Sequence, residues 1–138
     1  GGFELKEKIK QWLGEWGHEV VDHGAFRLDA TDDYPDFVVP AAKAVSQDKA
    51  ALGIVLGRSG NGEAIAANKM KSIRAAVCVN VEMARKAREH NDANVLALGG
   101  DYVSEAEAKE IVRTFLETPF SGDERHVRRL EKIMALER

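Results

Sequence analysis

The stretch that most restricts the possible folds is Leu52–Lys69, LGIVLGRSGNGEAIAANK. Leu52-Gly53-Ile54-Val55-Leu56 is an apolar run of the length of a buried strand. It breaks into a loop carrying Gly57, Gly60 and Gly62, then becomes the helix-forming Glu63-Ala64-Ile65-Ala66-Ala67-Asn68-Lys69. A strand that runs through glycines into a helix start is how an α/β protein builds an anion site. Glycine lets backbone N–H groups approach a ligand, and the first helical turn offers unpaired donors at the positive end of the dipole. Glu63 adds a carboxylate that the dipole favours, aimed into the same cleft as the donors. That combination places a general base beside an oxyanion hole.

The flanking segments fit the same architecture. Phe3–Trp16 has Leu5, Ile9, Trp12, Leu13 and Trp16 at helical spacing, with charged residues mostly opposite, which predicts an amphipathic helix packed on a sheet. Gly17 stops it, and His18–Asp22 reads as a short strand. Gly24–Asp33 is polar and turn-rich, a surface loop. Tyr34-Pro35-Asp36 opens a helix to about Ser46, in which Pro40 marks either a kink or a later start. Beyond the central unit, Ser72–Val79 is the next strand, Glu82–His90 a helix, and Val95–Leu98 a strand ending in Gly99-Gly100. Ser104-Glu105-Ala106-Glu107 has the form of a capping box and starts a helix to about Glu117. Asp123–Glu137 is a last helix. Strands alternating with helices predict one domain, a doubly wound, mostly parallel sheet with helices on both faces, Rossmann-like in form. Ligands in such folds bind beyond the carboxyl ends of the strands.

Composition removes several function classes. At 138 residues the chain is long enough for a substantial core. A formal net charge of −3 argues against a general nucleic-acid binder. Cys78 stands alone, which rules out an internal disulfide and a cysteine-based metal site, and its strand context reads as a buried, inert thiol. No apolar run approaches the ~20 residues of a membrane-spanning helix. A soluble cytoplasmic protein with no membrane partner is expected.

Each candidate site residue has two readings. Glu63 is either a base or an acidic residue favoured in a first turn. Ser59 is an N-cap or turn residue, or a donor to a substrate oxygen. GRSGNG has neither the GxxxxGK[ST] nor the GxGxxG spacing, so nucleotide binding is not indicated. His90, followed by Asn91-Asp92, is a helix C-cap or a proton-transfer group at a sugar ring oxygen. The four histidines show no metal-ligand spacing with one another. Arg125, Arg128 and Arg129 form a solvated basic face or a phosphate clamp.

GFELKEKI, DYPDF, GIVLG-SGNGE-IAANK, AREHNDANVLALGG and RHVRRLEKI together resemble ribose-5-phosphate isomerase type B, the family that includes the galactose-6-phosphate isomerase subunits. The likeness runs nearly end to end. It implies a doubly wound domain whose paired subunits, in a homodimer or tetramer, share each active site, the last helix reaching toward the partner. The implied reaction is aldose–ketose isomerisation of a sugar phosphate without metal or cofactor, through an enediolate. Many members use a cysteine as base; its place here is Gly57. A subgroup resembling actinobacterial enzymes uses a glutamate in SGNGE, which matches Glu63. The resemblance further implies His90 as the ring-opening group and Arg125 and Arg129 as phosphate ligands. The N–H groups of Ser59, Gly60, Asn61 and Gly62, with Asn91, would hold the enediolate.

Three departures shape the expectations. The family begins with a strand ending in Asp-His-Ala-Gly, and this sequence begins just after it, so a missing central strand is expected; a closed, continuous sheet without it would refute that. Asp101 stands where the family usually has Arg, and two unit charges about 5 Å apart at an effective dielectric near 20 interact by roughly 3 kcal/mol. Arg58 stands at a usual Gly position, and either replaces the lost cation at the substrate or pairs with Asp101. The first reading is ribose 5-phosphate/ribulose 5-phosphate isomerisation. The alternatives are another hexose phosphate, an unphosphorylated sugar, or a catalytically impaired sugar-binding relative.

Overall fold

The structure is a computed structural model that describes residues 3–24, 33–48 and 51–137. Its elements in chain order are α1 (Phe3–Glu15), α2 (Pro35–Ser46), β1 (Gly53–Gly57), α3 (Asn61–Asn68), β2 (Ala75–Val77), α4 (Val81–Asn91), β3 (Val95–Gly99), α5 (Glu105–Glu117) and α6 (Glu124–Met134). Among the described residues the strands form one parallel sheet in the order β1-β3-β2, with Gly53 opposite Val95 and Gly57 opposite Gly99. The central strand β3 is buried along its whole length, as expected of a strand with helices on both faces. Its side chains alternate between two apolar layers. Leu96 and Leu98 join Ile9, Trp12, Ala84, Ile111 and Phe115, from α1, α4 and α5, on one face. Val95 and Ala97 join Val38, Ala42, Ala64 and Ala67, from α2 and α3, on the other. The doubly wound architecture follows.

Local chemistry explains most boundaries. Ser104 and Glu107 complete a reciprocal capping box at the start of α5, as their spacing predicts. Pro35 opens α2, and Pro40 sits inside the same continuous helix rather than starting a new one. The strand expected over Ser72–Val79 shortens to Ala75–Val77. Ser72 adopts a left-handed φ of 67°, and the Asn94 side chain takes up the Arg74 N–H and the Ser72 carbonyl. Asn68 then binds both the N–H and the C=O of Ala75, closing the outer edge of β2 where a further strand would otherwise pair.

His18–Asp22 is not a strand. The segment is tied to α1 instead, through the His18 N–H to the Leu13 carbonyl and through Asp22, which pairs with Lys6 and Lys10. Burial works against the charge on Asp22, but the Gly24 N–H and the two lysines outweigh it and hold its carboxyl below the usual carboxylate range. Between this segment and β1 lies a cavity of about 720 Å³, lined by residues that include Ile9, Val20, Phe37, Ile54 and Leu56. Among the described residues the segment has no strand beside it to pair with, and the described sheet is open along β1. The loop expected over Gly24–Asp33 lies almost wholly outside the described residues.

Candidate active site

Two groups of side chains are assembled, at opposite ends of the sheet. The first lies beyond the carboxyl ends of β1 and β3. The helix after β1 packs on one face and the helix after β3 on the other. The two following loops lead to helices on opposite faces, and the crevice that such folds use for ligands lies at this end of the sheet. Backbone bonds lace the crevice walls: Gly100 N–H donates to the Gly57 carbonyl at 2.8 Å and Asp101 N–H to the Arg58 carbonyl at 3.0 Å. The turn into α3 is made by Gly60 at φ 85°, where a side chain would be strained and would also press on the Leu98 backbone at 3.1 Å. Asn61 N–H donates to Ser59 Oγ at 3.2 Å, so Ser59 does serve the turn, with its hydroxyl hydrogen left to donate. The first-turn N–H groups of Gly62 and Glu63 have no acceptor within the helix and lie at its open N-terminal end, where an anion is favoured.

Glu63 is only 6% exposed. Its carboxyl group lies directly over the α-carbon of Gly57: a β-carbon there would meet all three carboxyl heavy atoms well inside contact distance. The Glu63 carboxyl therefore occupies the space that a side chain at position 57 would fill. The missing side chain and the carboxylate are two halves of one arrangement. Tyr34, not singled out from the sequence, brings its hydroxyl against Gly62 on the same rim.

Arg58 and Asp101 meet across the crevice mouth, Nε to Oδ2 at 3.1 Å, with both side chains largely exposed. Of the two roles expected for Arg58, pairing with Asp101 is the one present. Its strength in water is small, but it cancels the negative charge that Asp101 would show to an anionic substrate. Arg58→Gly is expected to raise KM for ribose 5-phosphate about fivefold, the upper range for an exposed pair. Steady-state kinetics showing an unaltered KM would remove Arg58 from the substrate's surroundings.

The second group lies at the amino ends of the strands. His90 and Asn91 end α4 immediately before β3, and Arg125 and Arg129 stand one turn apart on α6. His90–Asn94 therefore lies at the other end of the sheet from the glycine loop. In a parallel sheet the residues ahead of a strand sit at its amino end. A five-residue strand at about 3.3 Å per residue puts on the order of 15 Å between the two groups. The C-cap of α4 is Asp92, at φ 44°, rather than His90. The segment after α5 is tied down by Arg88 to the Thr118 carbonyl at 3.0 Å and by Ser121 N–H to the Glu89 carbonyl at 3.2 Å. This brings α6 against α4, where the rings of His90 and His126 stack with centroids 4.3 Å apart and planes 19° from parallel.

His126 is the residue that the basic appearance of the last helix conceals. It is 7% exposed and buried with Leu130 one turn on, a four-residue spacing that could have flagged an inward face. Burial lowers its pKa below the usual histidine value, and His90, Arg125 and Arg129 add to the effect while Asp123 opposes it. Arg125, Arg128 and Arg129 are exposed, as a solvated or ligand-binding face requires.

Cys78 is 1% exposed, and burial pushes its thiol up to about 11. Alkylation by iodoacetamide under native conditions is therefore expected to leave turnover unchanged, measured before and after treatment. Rapid inactivation would show a reactive cysteine in the mechanism. The described residues hold no group of three or more His, Cys, Asp or Glu side chains placed for a metal ion, and no helix long and apolar enough to cross a membrane.

Comparison with known proteins matches this arrangement to one family. The family model described as Ribose/Galactose Isomerase matches residues 1–133. Ribose-5-phosphate isomerase B of Mycobacterium tuberculosis is 48% identical over 137 residues, covering 99% of this chain and 85% of that protein. The solved structure of Clostridium thermocellum ribose-5-phosphate isomerase B superposes with a TM-score of 0.94 at 46% identity, covering 99% of this chain and 90% of that one. The Mycoplasma genitalium ribose-5-phosphate isomerase B, solved with bound ribulose-5-phosphate, gives a TM-score of 0.94 at 41% identity, with 97% and 88% covered. Matched by the family model over residues 1–133 and by relatives nearly half identical along its length, the chain belongs to the ribose/galactose isomerase family.

Proposed function

We propose that the protein is an aldose–ketose isomerase that interconverts ribose 5-phosphate and ribulose 5-phosphate, with Glu63 as the base. The observation that carries this reading is the buried carboxylate over Gly57, facing the N-terminus of α3. His90 protonates the ring oxygen of the furanose while solvent water takes the C1 hydroxyl proton; the bond from C1 to the ring oxygen breaks, the aldehyde is freed, and His90 recovers its proton from solvent. Glu63 then takes the proton from C2, and the electron pair moves to O1 to form an enediolate. The N–H groups at the mouth of α3, with Ser59 and Asn91, stabilise that oxygen anion. Glu63 returns its proton to C1 while the hydroxyl proton of O2 passes to O1, leaving the ketone at C2. Arg125 and Arg129 hold the phosphate, a geometry that suits guanidinium forks.

This reading needs two copies of the chain. Glu63 and His90 act on neighbouring atoms of one sugar, yet they lie at opposite ends of one sheet. A second subunit must therefore present His90, Asn91, Arg125 and Arg129 to the Glu63 crevice, in a homodimer or a pair of dimers with two-fold symmetry. A cytoplasmic setting fits the single unpaired cysteine. The Arg58–Asp101 pair weakens the case for an unphosphorylated substrate, because Asp101 no longer presents a bare charge to the phosphate.

The test is conversion of ribose 5-phosphate in deuterium oxide, followed by proton NMR. A carboxylate base exchanging with solvent places deuterium at C1 of the product. Conversion with no deuterium at C1 would count against a base that exchanges with solvent. Binding with neither conversion nor exchange would leave a sugar-binding relative.

A further inference from the structure

The stacked histidines have a role beyond the residues assigned so far, and the argument rests on His90 being the ring-opening group. A side chain that protonates a ring oxygen must hold its imidazole plane while the sugar is bound. His90 is the penultimate residue of α4, next to the Asp92 cap, where a helix end alone leaves the side chain free to turn. The opposing surface is the ring of His126, fixed by its own burial and by the capped start of α6, where Asp123 accepts the Arg125 N–H at 3.0 Å. Arg125 Nη2 lies 3.5 Å from His126 Nε2. Arginine only donates, so this contact is a hydrogen bond when Nε2 of His126 is unprotonated, which places the ring proton on Nδ1. A neutral ring can lie flat against His90 while His90 gains and loses a proton. A charged one would repel it.

We propose that His126 is a positioning residue, a neutral platform on α6 that sets the plane of the His90 imidazole for ring opening and couples that plane to the helix carrying the phosphate-binding arginines. Its contribution is confined to the ring-opening step, because the ring it stacks on, His90, acts in that step alone.

Substrate chemistry allows that confinement to be measured. Ribose 5-phosphate is a closed furanose, whereas ribulose 5-phosphate, with its 5-hydroxyl phosphorylated, is open-chain. Solvent exchange at C1 of ribulose 5-phosphate therefore needs Glu63 and the anion site but no ring opening. For His126→Ala we expect kcat on ribose 5-phosphate to fall about tenfold or more, with KM and the C1 exchange rate kept within about twofold. His126→Phe, which restores a flat ring, should recover most of the loss. Unchanged turnover in His126→Ala overturns the proposal. So does a parallel fall in turnover and exchange, or a large rise in KM, since each would mark His126 as no more than a support for α6. His90→Asn is the companion measurement. If it fails to separate turnover from exchange, His90 is not the ring-opening group, and the proposal falls with that reading rather than on His126 itself.

Discussion

Glu63→Gln is expected to lower kcat for ribose 5-phosphate by about 10²–10⁴-fold, the range for a positioned general base, with KM little changed. Glutamine keeps the shape and the burial but has no lone pair basic enough to take the C2 proton. The side chain is almost wholly enclosed, so the exchange of oxygen for an amide nitrogen alters little of the surrounding packing. Kinetics with a circular-dichroism control on folding would measure the effect. Retention of more than a tenth of wild-type kcat would remove Glu63 from the base position.

Gly57→Ala is expected to have an effect nearly as large, for a steric reason. The added methyl would occupy the space of the Glu63 carboxyl group, at a position buried on the sheet side and therefore unable to move away. The backbone of β1 accepts alanine readily, so the fold should persist while the carboxyl is driven out of place. Misplacing a catalytic group by about 1 Å can cost on the order of 10² in rate. A hundredfold fall in kcat with a melting temperature close to wild type is the expected result. Full activity would mean that the carboxyl has another productive position and that the vacancy at Gly57 is incidental.

The division between what sequence shows and what structure adds is clear in these same residues. The strand–glycine–helix unit was readable because each part has a local cause: an apolar run, a residue that must take positive φ at Gly60, and an acidic first turn. The same holds for the capping box at Ser104. The position of Glu63 over Gly57 is a contact between a strand end and a helix, and no spacing rule contains it. His18–Asp22 has the composition of a strand, but strand formation needs a neighbour, and composition does not reveal whether one is present. His126 was hidden because three arginines around it dominate the charge pattern of α6, although Leu130 four residues on marks the inward face.

The separation of His90 from Glu63 belongs to a different class. It follows from topology alone, since a residue between a helix and the parallel strand after it must lie at the amino end of the sheet. On the proposed assignment of roles, that single fact makes one chain insufficient for the reaction and makes the exposed Arg125 and Arg129 ligands offered to a second copy. The cavity beside β1 and the Arg58–Asp101 pair surround this arrangement without altering it.

Complementation between inactive subunits tests the shared site most directly. Glu63→Gln and His90→Asn proteins, each inactive alone, would be mixed under conditions that exchange subunits and assayed on ribose 5-phosphate. In a symmetric dimer, half of the mixed population is heterodimer, and each heterodimer holds one intact site. Recovery of about a quarter of wild-type activity is therefore predicted. No recovery, despite demonstrated subunit exchange, would contradict a site built from opposite ends of two chains.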